Sequence, residues 1–348
     1  MERTSGREDL VTVLTGCWLI TGAGLDGRAH VTQQLDTFFT PWHAVLYTGF
    51  GATVAWVMLI TRKRMTPGRS WRSSIPDGYR LALVGLAMFF VGGVGDLLWH
   101  QAFGIERSIA AVFSPTHQLL FFGAILILTS PFRAAWARPQ TVAPTRAIAS
   151  ITLALTITLL AMTYSSPFVF QDAYFSSLRN DPVYERAGLT AVLFTNLLML
   201  APAIALLVRW RLPFGTFMGL YGIPVAAVVI VNVPSRFPLI LGVLIAAIAI
   251  DVLVAVLRAT PQRPSAQRLV ATVAPAFLWG AYFATVALDL TLGWEVELWA
   301  GAILWSSASG LAIAELLLAT RRGWTHVSEP AAPSAASVME TQAREAGI

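Results

Sequence analysis

Apolar runs recur along almost the whole chain, over residues 9–24, 41–61, 80–99, 115–132, 147–164, 188–208, 213–233, 237–257, 269–290 and 297–318. About 20 apolar residues carry a helix across the hydrocarbon core of a bilayer. A backbone in lipid must satisfy its own hydrogen bonds, so runs of this length read as helices rather than strands. The expectation is an all-α, polytopic integral membrane helix bundle with about ten transmembrane helices. Composition agrees: 12% of residues are charged, against roughly 25% in soluble domains.

The formal charge of +5 follows topology. With a cytoplasmic N-terminus, 19 of the 24 basic residues fall in inside segments, including Arg62, Lys63, Arg64, Arg69, Arg72, Arg133, Arg138, Arg258 and Arg263. Such a bias sets orientation in a plasma membrane, and no nucleic-acid patch stands out. The N-terminal segment lacks a small-residue cleavage site before a short apolar core, so the first span is expected to be retained. Residues 1–322 form the transmembrane domain, with a duplicated half over 9–132 and the remaining helices over 147–318. The tail, 323–348, is rich in Ala, Ser, Pro and Glu and is expected to be a disordered cytoplasmic extension carrying a solvated His326.

Two segments share a pattern. "DGRAHVTQQLDTFFTPWH" runs from Asp26 to His43, and "DLLWHQAFGIERSIAAVFSPTH" from Asp96 to His117. Each opens Asp-x-x-x-His and closes Phe-[Ser/Thr]-Pro-x-His, with a glycine six residues further on. Residues four apart share a helix face, so Asp26 with His30, and Asp96 with His100, can each reach one ion. Thr40 and Ser114 suit an N-cap, and Pro41 and Pro115 the first helical position. His43 and His117 then stand in the first turn of the next helix, and each loop can fold its histidine back over the Asp/His pair. Two imidazoles and one carboxylate with open positions suit Cu(II), Zn(II) or non-haem Fe(II). The single Cys17 excludes a cysteine cluster. Both sets belong near the extracytoplasmic face, and ionisable groups at that depth are costly unless partnered.

The first segment resembles the metal-binding stretch of the third subunit of the copper membrane monooxygenases, the particulate methane and ammonia monooxygenases. Asp36, Thr37, Phe39, Thr40, Pro41 and His43 match the family's Asp-Thr-x-Phe-Thr-Pro-x-His ending. The resemblance covers roughly residues 24–124 and implies Asp26, His30 and His43 as copper ligands. It also implies a second site, with Asp96, His100 and His117 in place of an Asn/His/His set. Trp99, before His100, is similar to the tryptophan that precedes the family's first-site histidine. On this basis the chain is expected to be a divergent single-chain relative: a membrane copper protein with monooxygenase-like oxidoreductase activity on a small apolar substrate. The lipid bilayer is the expected partner, with a homo-oligomer or additional membrane subunits as further ones. Copper binding or transport without catalysis, and a zinc-dependent membrane hydrolase, are the alternatives.

Around these sets, Asp36, Trp42, Trp99 and Glu106 are candidates to support the ligands, Glu106 and its neighbour Arg107 by hydrogen bonding to an imidazole. Asp251, inside an apolar run, reads either as a helix-pairing residue, with Arg258 as one partner, or as a proton carrier. Asp289, Glu295 and Glu297 read as loop acids or as a cation funnel.

Overall fold

The computed structural model describes residues 3–32, 39–104, 109–176, 181–289 and 292–328, with the side chains of 110, 111 and 321–328 set aside. These residues are almost entirely helical, and no β-strand forms among them beyond two isolated bridges. Among the described residues, eight helices are long and apolar enough to cross a membrane. We number the principal helices α1 (Gly6–Thr32), α2 (Pro41–Arg62), α3 (Arg80–Phe103), α4 (Pro115–Leu128), α5 (Ser130–Trp136), α6 (Thr145–Ala161), α7 (Pro182–Arg209), α8 (Ile223–Asn232), α9 (Pro238–Val256), α10 (Pro264–Asp289) and α11 (Val296–Ser328). α4 and α5 together make one candidate span, Pro115–Trp136.

Two of the apolar runs yield shorter helices. The run over 147–164 gives α6, which stops at Ala161 and passes into a 3-10 turn over Thr163–Ser165. The run over 213–233 gives a π-helical turn, Met218–Gly222, leading into α8. Conversely, α1 and α3 extend beyond their apolar runs to take in Asp26, His30 and His100, so that with Asp96 all four lie within helices.

The duplicated half folds as two helical hairpins, α1 with α2 and α3 with α4, each closed on glycine. A Cβ at Gly22 would lie 2.4 Å from Leu46 Cα across the first hairpin. In the second, a Cβ at Gly85 would lie 2.6 Å from the Gly123 carbonyl oxygen, and one at Gly123 2.8 Å from the Gly85 carbonyl oxygen. Close backbone approach through small residues is how helices associate where lipid removes the hydrophobic drive. Gly22 and Gly92 each precede a hairpin's aspartate by four residues, so the repeated unit is Gly-x-x-x-Asp-x-x-x-His, and the glycine contact sets the depth at which the aspartate faces its partner helix.

Lipid-facing positions stay apolar, as at Phe90, Leu98, Ile245, Leu304 and Leu316, all exposed. Buried polar side chains gather where hydrogen bonds exist for them. Asp9, fully buried at the start of α1, accepts from Thr4 (2.7 Å) and Tyr79 (3.0 Å) and lies 3.4 Å from Arg138 Nη1. Between α7, α10 and α11, Asn196 accepts from Trp279 Nε1 (3.0 Å) and donates to Ser309 Oγ (2.9 Å). One mixed core joins the two hairpins with α6, and a larger one, rich in aromatic rings, spans α6 to α11.

Candidate metal centre

The second hairpin shows how local chemistry orients a ligand. Ser114 caps α4: its Oγ accepts the backbone N–H of His117 (3.4 Å) and lies 2.6 Å from His117 Nδ1 and 3.2 Å from Thr116 Oγ1. Thr116 donates its hydroxyl to Asp96 Oδ1 at 3.0 Å. A carboxylate only accepts, so the donors run one way: His117 Nδ1–H to Ser114, Ser114 to Thr116, Thr116 to Asp96. In the neutral imidazole Nε2 of His117 then keeps its lone pair. His100 reaches the same state differently, because its Nδ1 faces the Gly104 carbonyl at 3.3 Å, and a carbonyl can only accept. Both Nε2 atoms point at Asp96, at 3.4 Å for His100 and 3.6 Å for His117. In the neutral imidazoles both Nε2 lone pairs face the buried carboxylate, an arrangement a shared cation satisfies, whereas protonated rings would pair with Asp96 directly.

In the first hairpin Asp26 and His30 are one turn apart on α1, with Oδ2 and Nε2 3.9 Å apart. His43, held in the first turn of α2 by the Thr40 cap, brings Nε2 to 3.0 Å from Asp26 Oδ1. Despite that approach, Asp26 Oδ1 is buried and takes no hydrogen bond among the described residues.

The hairpins meet at His117. Asp26, His30 and His117 form one group whose ligand atoms lie within 4.8 Å of one another, and Asp96, His100 and His117 form a second. The rings of His30 and His100 lie 6.0 and 6.1 Å from that of His117. The six residues therefore make one continuous cluster rather than two separated sets, with His43 attached through Asp26. Two ligand atoms each about 2.1 Å from an ion can be no more than about 4.2 Å apart. The Asp–His separations, 3.0 to 3.9 Å, meet that limit.

Tyr47 is a neighbour the sequence pattern did not single out. It follows His43 by one helical turn, its ring centroid 6.0 Å from the imidazole. A Cβ at Gly93 would fall 2.8 Å from its ring, so glycine there makes room for the phenol beside both aspartates. The His-plus-four spacing was the available signal. The equivalent position in the second hairpin is Phe121, which faces a cavity.

That cavity, about 470 Å³, has Asp26, His30 and His117 in its wall. Leu19, Leu46, Phe89, Leu120, Phe121 and Ile157 make it strongly apolar, and Tyr164 and Asn232 also line it.

Of the other candidates, Asp36, Glu106 and Arg107 lie outside the described residues, as does Thr37 of the matched motif, and His326 lies among the side chains set aside. Trp42 is half-buried, its Nε1 without a hydrogen-bond partner among the described residues. Trp99 packs on Phe103, ring centroids 4.6 Å apart. Asp251 accepts the backbone N–H groups of Phe217 and Met218, each at 3.1 Å, and so caps the turn leading into α8. Asp289 pairs with Arg236, which also binds Asp172 at 2.8 Å. Burial opposes the charge of Arg236, but the Asp289 hydrogen bond and the charge of Asp172 outweigh it and raise its pKa.

Fold and site together define a polytopic helical membrane protein with a buried Asp/His cluster able to hold a metal ion. No protein-family model, curated protein or solved structure matches the chain.

Proposed function

We propose that the cluster binds copper and that the protein is a copper-dependent, monooxygenase-like oxidoreductase acting on a small apolar substrate. The observation that carries the metal is Asp26 Oδ1, a buried carboxylate oxygen without a hydrogen bond, 3.0 Å from an imidazole nitrogen. A buried acceptor left unmatched costs about 1–3 kcal/mol, and a shared cation removes that cost. Four imidazoles with two carboxylates suit copper, zinc or iron. The resemblance of residues 24–124 to the copper monooxygenases favours copper, and the apolar chamber beside the ligands favours a reaction on an apolar molecule.

Bound copper would supply one-electron chemistry toward dioxygen. The protein's own part is positional. Ser114 and the Gly104 carbonyl fix the tautomers of His117 and His100, which aims their Nε2 atoms. Leu19, Phe89 and Phe121 keep water from the ligands and hold the substrate against the wall formed by Asp26, His30 and His117. Tyr47 stands beside both aspartates. In this reading α6 and the segment Met218–Asn232 complete about ten crossings, both termini are cytoplasmic, and the cluster sits near the extracytoplasmic face of a plasma membrane.

Metal analysis and electron paramagnetic resonance of detergent-extracted protein test the assignment. Copper with a nitrogen-rich signal is expected. Zinc alone would overturn the oxidoreductase reading and leave the hydrolase.

A further inference from the structure

At the opposite end of the bundle from the metal cluster lies a second cavity, about 880 Å³, whose lining includes Arg211, Arg258, Arg263, Thr260, Phe214 and Asp251. The three arginines come from separate places: Arg211 follows α7, Arg258 follows α9 and Arg263 precedes α10. Their backbones are held. Arg211 donates its N–H to Thr141 O at 2.8 Å and accepts from Ala143 at 3.0 Å, and Arg263 donates to Thr260 O at 2.9 Å. All three are exposed, and none makes an ion pair among the described residues.

Arg258 adopts φ +47°, the one non-glycine residue with positive φ among those described. It stands where a helix usually ends in glycine. A side chain there costs on the order of 1 kcal/mol, so an arginine in that position runs against local preference, and Arg258 lines the cavity. The carboxylate of Asp251, the acid of the same wall, is already taken up by the backbone amides of Phe217 and Met218. The cavity lining therefore carries three arginines against one carboxylate whose oxygens are taken up by backbone amides. Guanidinium forks match phosphoryl oxygens. Leu212, Phe214 and Val254 also line the cavity, and Phe214 is exposed.

We propose that this cavity binds a phosphoryl anion, supplied by an anionic phospholipid headgroup or by soluble phosphate. The site stands independently of the copper reading. Basic pockets between helices on the cytoplasmic side recognise such headgroups, and the apolar rim gives an acyl chain a place to lie.

The test uses the full-length protein in neutral detergent, titrated with short-chain phosphatidylglycerol, with phosphatidylcholine as the uncharged comparison, and with inorganic phosphate as competitor. Phosphatidylglycerol is expected to bind in preference to phosphatidylcholine. Arg258→Gln/Arg263→Gln should weaken it by on the order of tenfold, while Arg62→Gln/Arg72→Gln leaves it unchanged and the metal content is the same in both. Displacement by millimolar phosphate would make soluble phosphate an occupant too; binding that resists it would assign the site to the lipid. Equal weakening by the two double variants, or no preference between the lipids, would overturn the proposal. Should Arg258→Gln/Arg263→Gln not fold, Arg211→Gln against Arg62→Gln gives the same reading.

Discussion

In the first hairpin Asp26 borders the apolar chamber, with one carboxylate oxygen lacking a hydrogen bond; in the second, Asp96 is 1% exposed and its Oδ1 takes a hydroxyl from Thr116. The histidine that begins the second helix differs in the same direction. His117 is tied through Ser114 and Thr116 to its own aspartate, whereas the Thr40 cap accepts the backbone N–H of His43 at 3.3 Å and His43 Nε2 lies directly 3.0 Å from Asp26. One sequence pattern has thus produced a more enclosed, hydrogen-bonded half and a more open half facing the chamber, with His117 common to both ligand groups. The division suits a centre in which one half encloses the ion and the other borders the chamber.

The largest expected effect breaks the cluster at its shared member. His117→Ala should remove metal from both groups, taking bound copper to near background, while His43→Ala should leave a substantial fraction. Metal content per folded protein measures this, with circular dichroism as the check on folding. Equal partial losses from the two variants would mean two independent sites and would undo the shared role of His117.

Second in size is the packing that brings the hairpins to this geometry. Gly22→Ala would drive a methyl into the α2 backbone at Leu46 and should cost about 1–3 kcal/mol, read as a fall in the thermal midpoint in detergent. Gly92→Ala meets Leu119 Cβ at 3.0 Å and the Leu120 and Thr116 backbone at 3.1 Å, looser than the 2.4 Å approach at Gly22, and should cost less. Gly51→Ala, with nothing within 4 Å, should be neutral. A reversed order would show that the second hairpin is the more tightly set.

Much of this architecture was legible in the residues. Lipid demands internally bonded helices, and that demand writes long apolar runs into the sequence. Thr40-Pro41 and Ser114-Pro115 marked two helix starts because a capping hydroxyl and a proline each have one low-cost place there. The sharing of His117 was not legible, since it depends on how one hairpin packs against the other, which four-residue spacing inside each hairpin does not encode. Nor was the role of Asp251: an acid in an apolar run signals a partner, but here the partner is the backbone of Phe217 and Met218, and backbone amides leave no mark in a sequence. The runs over 147–164 and 213–233 were apolar enough for spans yet yielded shorter helices, because a 3-10 turn ends one and a π-helical turn opens the other.

A smaller effect sharpens the comparison at the caps. Ser114→Ala removes both a cap, worth about 1 kcal/mol, and the acceptor of His117 Nδ1–H, whose loss should weaken metal binding by about 10–100-fold. Thr40→Ala removes a cap alone, so stability should fall by a similar amount while metal affinity changes little. Competition with a chelator of known affinity separates the two. If both variants weakened metal equally, the enclosed half would owe nothing to its hydroxyl chain.

The smallest effect on the metal is expected from the other half of the molecule. Asn196 links α7 to α10 and α11 through Trp279 and Ser309. Asn196→Leu keeps the volume but strands the Trp279 N–H in a buried site, which should cost about 1–3 kcal/mol. Because α7, α10 and α11 contribute no ligand to either group, copper content per folded molecule should match the unsubstituted protein even as the thermal midpoint drops. A parallel loss of copper would mean that the helices behind the hairpins set the cluster's geometry, and the contrast between an open and an enclosed half would then belong to the whole bundle.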